Sequence, residues 1–409
     1  MQLLELPLDV FKNIVLFMVQ EQGLRKSMSA RLVCRTFANE VLDAVISTRA
    51  IDEIAESPLS LHRVERHYNV IARYLHHRVR TDGPDTHPWI TTIRESCDLL
   101  LKHAVSSVDP DPKQMERTQF SACLCLAVNS SSTVLPVLWG QERNEKTQFE
   151  GGTWENALAI ASSMGDLTLV ESLNRGTDPP SFFGRPSWAA AAFGHLDVLQ
   201  FFLKQGALPY EPNFHHVTDL VLGETPLGAA AYMGHDDIVQ LYLNPPYFCP
   251  GVQNEEAKAL FAAAEGNQPR TLRTLLEHRQ RTQPPPDLLG MLDAALLWSS
   301  KRGAPDATRV LLEHGAHPNE TDKSPRSCLQ HAAIAGDAAT VRLLLDAGAS
   351  LEASAYICKR TVPRLNDRWR KKYKDALTEA KRRNYLAVVR VIEEKQREIG
   401  GETKAAAEE

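Results

Sequence analysis

One pattern of apolar and polar positions returns along the second half of the chain. A run of small apolar residues is followed by a glycine and then by larger apolar residues at helical spacing. It reads AIASSMGDLTLVESL from Ala159, AAAAFGHLDVLQFFLKQGA from Ala189 and ETPLGAAAYMGHDDIVQLYL from Glu224. It returns as LFAAAEGNQPRTLRTLL from Leu260 and LQHAAIAGDAATVRLLLDAGAS from Leu329, with a weaker copy, WSSKRGAPDATRVLLEHGAHPN, from Trp298. The hinge glycines are Gly165, Gly194, Gly234, Gly266, Gly303 and Gly336, spaced 29, 40, 32, 37 and 33 residues apart. A period near 33 residues marks a stack of helix pairs. Each copy predicts two short antiparallel helices with the glycine in the turn between them. Gly206, Gly315 and Gly348 stand where a C-terminal cap would end the second helix. No single pair can bury its own apolar face, so the pattern predicts a solenoid whose core is made by stacking.

These residues resemble the ankyrin repeat. Thr225-Pro226-Leu227 matches the family's opening, although Gly228 stands where the family has histidine. Gly194-His195 and Gly234-His235 match the turn, with Gly165-Asp166 and Gly336-Asp337 as variants. Leu311-Leu312 with Gly315-Ala316, and Leu344-Leu345 with Gly348-Ala349, match the ending. The resemblance covers residues 151–353 and implies a protein-binding array. A further pair is expected in 354–396, where DALTEAKRRNYLAVVRVIEEKQ keeps the apolar pattern and Asn384 replaces the hinge glycine. Its charged outer face suits a terminal cap, and 397–409 reads as a flexible tail. The interval between Gly194 and Gly234 is the longest. Its insert ALPYEPNFHHVTDLVLG puts Tyr210, Phe214 and His215 among turn-forming residues, where they are expected to contact a partner. Packing of Tyr210 and Phe214 back on the array is the alternative.

The first fifty residues follow a different pattern. Pro7 and Asp9 suit a helix start, and Val10, Ile14 and Phe17 make one apolar stripe. A break at Gln22-Gly23 is expected to lead to a second helix, and a third to begin near Asn39. Residues 1–47 resemble an F-box: Leu6-Pro7 matches its opening, Val10, Ile14 and Met18 its first-helix positions, and RLVCRTF (Arg31 to Phe37) its Val-Cys-Arg segment, with Phe37 for the common tryptophan. The linker between the helices is longer than the family's. The resemblance implies that Leu6, Pro7, Val10, Ile14, Met18 and Val33 bind a Skp-type adaptor. The chain would then be the substrate receptor of a cullin–RING ubiquitin ligase. A small helical bundle that merely caps the array is the alternative for this segment. Residues 48–150 read as a helical connector that could hold degenerate repeats.

Composition narrows the chemistry. A net charge of −5 over 409 residues gives no general attraction to nucleic acid. The exception lies between Lys359 and Arg383, where eleven Lys and Arg face three acids; a nuclear-import signal or a solvated cap surface would both look like this. The seven scattered cysteines, without a Cys-x-x-Cys pair, point to free thiols in a reducing compartment, cytoplasmic or nuclear. No apolar run is long enough to span a bilayer. Phosphate-binding, zinc-protease and nucleophile-elbow motifs are missing from the sequence. The adjacent pairs His76-His77 and His215-His216 do not converge as metal ligands would. The expectation is therefore an all-α protein with no catalytic residues, metal or cofactor: an ankyrin-type solenoid behind an F-box-like head.

Overall fold

In the computed structural model, residues 7–30, 35–49, 51, 68–83, 87–104, 111–129, 151–208, 224–247, 253–282, 288–321, 326–351 and 375–408 are described, and every extended regular element among them is an α-helix. The chain divides into two compact units, one of residues 1–190 with 197–207 and one of 191–196 with 208–409.

The first unit begins with α1 (Leu8–Ala30) and α2 (Arg35–Ser47), which pack against each other. Phe11, Val15 and Val19 recur at one-turn spacing on α1 and are buried, as are Val41, Ala44 and Val45 on α2. The break expected at Gln22-Gly23 is not formed: α1 runs through Gly23 for 23 residues, and the next helix begins at Arg35. A lone glycine costs a helix only about 1 kcal/mol relative to alanine, and the flanking Gln, Glu, Leu, Arg and Lys favour helix. Three helices follow, α3 (Tyr68–Thr81), α4 (Pro88–Ala104) and α5 (Pro112–Asn129), and then the first repeat pair, α6 (Thr153–Met164) and α7 (Leu167–Leu173). Both α4 and α5 pack on α6, so the connector continues the core of the first repeat.

A buried polar knot ties this unit together. Arg78 is 4% exposed; its Nε donates to Asp82 Oδ2 at 2.6 Å, and its Nη1 donates to the Tyr74 hydroxyl at 2.9 Å. The guanidinium also lies 5.7 Å from the Trp89 ring. Arg49, just beyond α2, donates to the other Asp82 oxygen, and Arg94 from α4 donates to the Asp82 carbonyl at 2.7 Å. The head and α3 thus share one carboxylate, and α4 is fastened to the same residue through its backbone carbonyl.

After α8 (Pro186–Phe193) and α9 (Leu196–Lys204), the second unit holds five successive pairs. They are α10 (Pro226–Met233) with α11 (Asp236–Leu243), α12 (Gln253–Glu265) with α13 (Pro269–Thr282), α14 (Leu288–Arg302) with α15 (Pro305–Glu313), α16 (Cys328–Ala335) with α17 (Ala338–Asp346), and α18 (Ala376–Arg382) with α19 (Leu386–Glu408). The first helices of the pairs stack in one row and the second helices in another. Ala229–Ala231, Ala262–Ala264, Ala332 and Ala333 line the first row, and their small size lets neighbouring backbones come close. Ile238 and Tyr242, Leu272 and Leu276, Val310 and Leu311, and Val341 and Leu345 fill the space behind. Four helix starts are capped by side chains: Thr225 Oγ1 accepts from Gly228 N, Asp337 from Thr340 N and Asp375 from Thr378 N, while Ser327 and Gln330 cap each other's ends of the turn. α19 continues to Glu408 through the segment read as a flexible tail, in keeping with the helix-favouring Lys-Ala-Ala-Ala-Glu run.

Candidate partner-binding surfaces

In the second unit the hinges make a ladder. Gly194, Gly234, Gly303 and Gly336 all have positive φ, between 66° and 85°. That conformation is only half of why glycine stands there. A Cβ at Gly194 would lie 2.6 Å from the His235 ring, at Gly234 2.4 Å from the Gln268 side chain, at Gly303 2.8 Å from Asp337, and at Gly336 2.9 Å from the Tyr385 ring. The residue after each hinge therefore covers the hinge of the preceding repeat. His235 adds a hydrogen bond from Nε2 to the Ala192 carbonyl at 3.0 Å, and Gln268 donates to the Tyr232 carbonyl at 3.2 Å.

Gly266, read from the sequence as another hinge, does stand in the turn between α12 and α13, where a Cβ would meet the Tyr232 backbone. The left-handed residue of this turn, however, is Asn267, with φ 57°. Asparagine tolerates the left-handed region through its short polar side chain. Asn267 then does what a glycine could not: its Oδ1 accepts from Asp306 N and Ala307 N, both at 3.0 Å, capping α15, whose own N-cap residue is Ala304. Asn384, with φ 58°, takes the hinge position before α19.

The head presents a second surface. On α1, Val10, Ile14 and Phe17 are 44%, 39% and 64% exposed, and they share the side opposite buried Phe11, Val15 and Val19. Pro7 is exposed beside them and Met18 is half-buried on the flank. Of the six residues expected to bind an adaptor, Pro7, Val10 and Ile14 thus share one exposed side, while Leu6 and Val33 lie outside the described residues. Phe17, not among the six, is the most exposed large apolar residue on this face. Its i, i+7 relation to Val10 was the available clue. Tyr210, Phe214 and His215 also lie outside the described residues.

The remaining candidate chemistry resolves into structure. Cys97, Cys123, Cys125 and Cys328 are buried free thiols. Burial pushes Cys97, Cys125 and Cys328 up to about 12 and Cys123 well above the usual thiol range. These four should resist iodoacetamide at pH 8 in the folded chain and react once urea unfolds it. Peptide mass mapping checks this, and labelling of any of the four in the native protein would contradict the burial. Among the described residues, no cluster of three or more His, Cys, Asp or Glu could hold a metal ion, and no helix is long and apolar enough to cross a membrane. In the described part of the basic stretch, Lys381 pairs with Glu393 at 2.8 Å, and Arg382 and Arg383 both pair with Glu379.

Comparison with known proteins bears on the repeats. The family described as Ankyrin repeats (3 copies) matches residues 187–285, and that described as Ankyrin repeats (many copies) matches residues 291–345. A curated relative, the transient receptor potential cation channel subfamily A member 1 homolog of Caenorhabditis elegans, is 30% identical over 131 residues; the match takes in 32% of this chain and spans 11% of the relative's length. Among solved structures, the human ASB11 ankyrin repeat domain is similar with a TM-score of 0.38 at 20% identity, covering 55% of this chain and 90% of that one. The ankyrin repeat domain of Bcl-3 has a TM-score of 0.36 at 20% identity, covering 58% and 97%. With its family matches, glycine hinges and paired helix rows, the segment from 187 to 345 is built of ankyrin repeats.

Proposed function

We propose that this chain is a protein-interaction adaptor in which the outward face of α1 docks a helical Skp-type adaptor and the ankyrin repeats hold a protein substrate for a cullin–RING ubiquitin ligase. The single observation that carries the adaptor half is the row Val10, Ile14 and Phe17, left exposed on a helix whose Phe11, Val15 and Val19 are buried. Water-exposed apolar rows of this kind mark partner sites, because their burial is favourable by roughly 25 cal/mol per Å². The resemblance of Leu6-Pro7 and of the Val10, Ile14, Met18 spacing to the F-box adds the identity of the partner. The repeats support the binding half, and Tyr210, Phe214 and His215 are proposed as its anchors.

The unbroken α1 favours a second reading, an ankyrin scaffold without a ligase connection, since the F-box pattern expects a turn near Gly23. One co-purification separates them. The full chain should bring down the Skp adaptor and cullin, Val10→Asp with Ile14→Asp should abolish that capture, and Tyr210→Ala with Phe214→Ala should spare it while losing the substrate. Because Val10 and Ile14 are exposed, the first variant should keep its thermal transition. Failure of the wild-type chain to capture the adaptor leaves the scaffold reading standing.

A further inference from the structure

The first unit carries a surface groove that the adaptor reading does not use. It is open, about 1330 Å³ in volume, and walled by residues of α2, α3, α5 and the end of α6. An enclosed small-molecule site is usually smaller, of order 300–1,000 Å³, and wraps its ligand. This one has the form of a trough.

Its charge is unbalanced. Arg80 is neutralised by Glu116, at 2.7 Å. Arg73, Lys113 and Arg117 line the same trough, are exposed, and have no ion-pair partner among the described residues. Asp43 is the other acid on the wall. In a chain with a net charge of −5, such a cationic concentration is local and not a general property of the surface. His76 adds an unspent polar group: its Nε2 is buried without a hydrogen-bond partner, while its ring lies edge-on to Phe120 at 5.6 Å. Burial first, and the Arg80 charge second, hold this imidazole below the usual histidine range.

The trough is also partly apolar. Phe120 is half-buried on its wall, and Met164, at 36% exposure, lies at its edge. Arg73 and Arg80 stand two turns apart on α3, about 10 Å along the axis. Lys113 and Arg117 stand one turn apart on α5. An extended peptide places same-side residues about 7 Å apart, so its carboxylates can alternate between two such rows. A phosphodiester backbone would gain nothing from Phe120 and Met164, and a lone phosphate would not need cations spread over separate turns.

We propose that this groove docks an extended acidic segment of a partner protein, seating an apolar side chain against Phe120 and Met164 and its carboxylates on Arg73, Lys113 and Arg117. The proposal stands independently of the Skp-adaptor reading. It is tested on the full chain with a fluorescein-labelled peptide of glutamates flanking a central leucine, followed by anisotropy at low salt. The wild-type chain should bind it, and Arg73→Glu with Lys113→Glu and Arg117→Glu should weaken binding at least about tenfold with the helical signal retained. Asp43→Asn removes the repulsive wall charge and should tighten binding, a gain that misfolding cannot imitate. No binding by the wild type, or equal binding by the triple variant and by Asp43→Asn, overturns the proposal. So does tighter binding of a labelled oligothymidylate, or displacement of the peptide by inorganic phosphate at equal charge.

Discussion

Gly266→Ala is expected to destabilise the repeat array by about 3 kcal/mol, at the upper end of what overpacking costs. A Cβ built at Gly266 would lie 2.0 Å from the Tyr232 carbonyl oxygen and 2.8 Å from its carbon. Both are backbone atoms, so no side-chain rotation can relieve the contact. α10 and α12 must instead move apart. Helix propensity alone predicts the opposite sign, since alanine is favoured over glycine by about 1 kcal/mol in a helix. Gly315→Ala is the control: nothing lies within 4 Å of its added Cβ, and only its φ of +92° resists, at a cost of roughly 1–2 kcal/mol. Urea unfolding followed by circular dichroism should place the Gly266 variant below the Gly315 variant. A Gly266→Ala chain as stable as wild type would mean that the two helices are not held this closely.

Asp82→Ala is expected to cost the first unit about 3–5 kcal/mol, the range for removing one partner of a buried ion pair. Arg78 and Asp82 have 4% and 0% of their side chains exposed, so the surviving guanidinium would be left charged and buried. The same carboxylate carries a pH signature. Burial would raise its pKa, but the hydrogen bond and charge of Arg78, with Arg49 beside them, outweigh burial and hold it below the usual carboxylate range. A group depressed in the folded state contributes its stability above its unfolded pKa and loses it as pH falls through the folded pKa. Acid unfolding monitored by tryptophan fluorescence, with Trp89 against Arg78, should therefore be less steep for Asp82→Asn than for wild type. An identical acid limb in both proteins would remove Asp82 from the account.

What could be read from the residues in order depended on repetition. The Ala-rich runs, the hinge glycines and the Leu-Leu endings occur often enough that a single deviant copy does not hide the period. The ladder was harder to see, because it joins positions about one repeat apart, such as Gly194 to His235, and each looks complete as a local turn. Gly266 hides its own reason in the same way. As a letter it matches the other hinges, and only the distance to Tyr232 shows that it serves close approach. The connector left almost no trace, since Arg49, Tyr74, Arg78, Asp82 and Arg94 converge without a spacing rule. In α1 the apolar stripe was visible, but whether it faced the core or the solvent was decided by α2. The continuity through Gly23 is a sum of small propensities that outweighs a single glycine.

The ladder also makes the repeats unequal as parts. Each hinge is shaped for the residue that follows it in the next copy, so a copy carries a socket on one side and a plug on the other. Gly234 receives Gln268 and Gly303 receives Asp337, whereas Asn267 occupies its own socket and is followed by the small Ala304. Excising the pair α14–α15 would bring Asn267 against Asp337 and make two side chains compete for one space. Excising α16–α17 would bring Gly303 against Tyr385, a match of the kind Gly336 already makes. Thermal melts of the two deletions should rank in that order, the second retaining a cooperative transition and the first losing it. A chain that grew by copying one unit would thus, once its plugs and sockets had diverged, admit only certain splices.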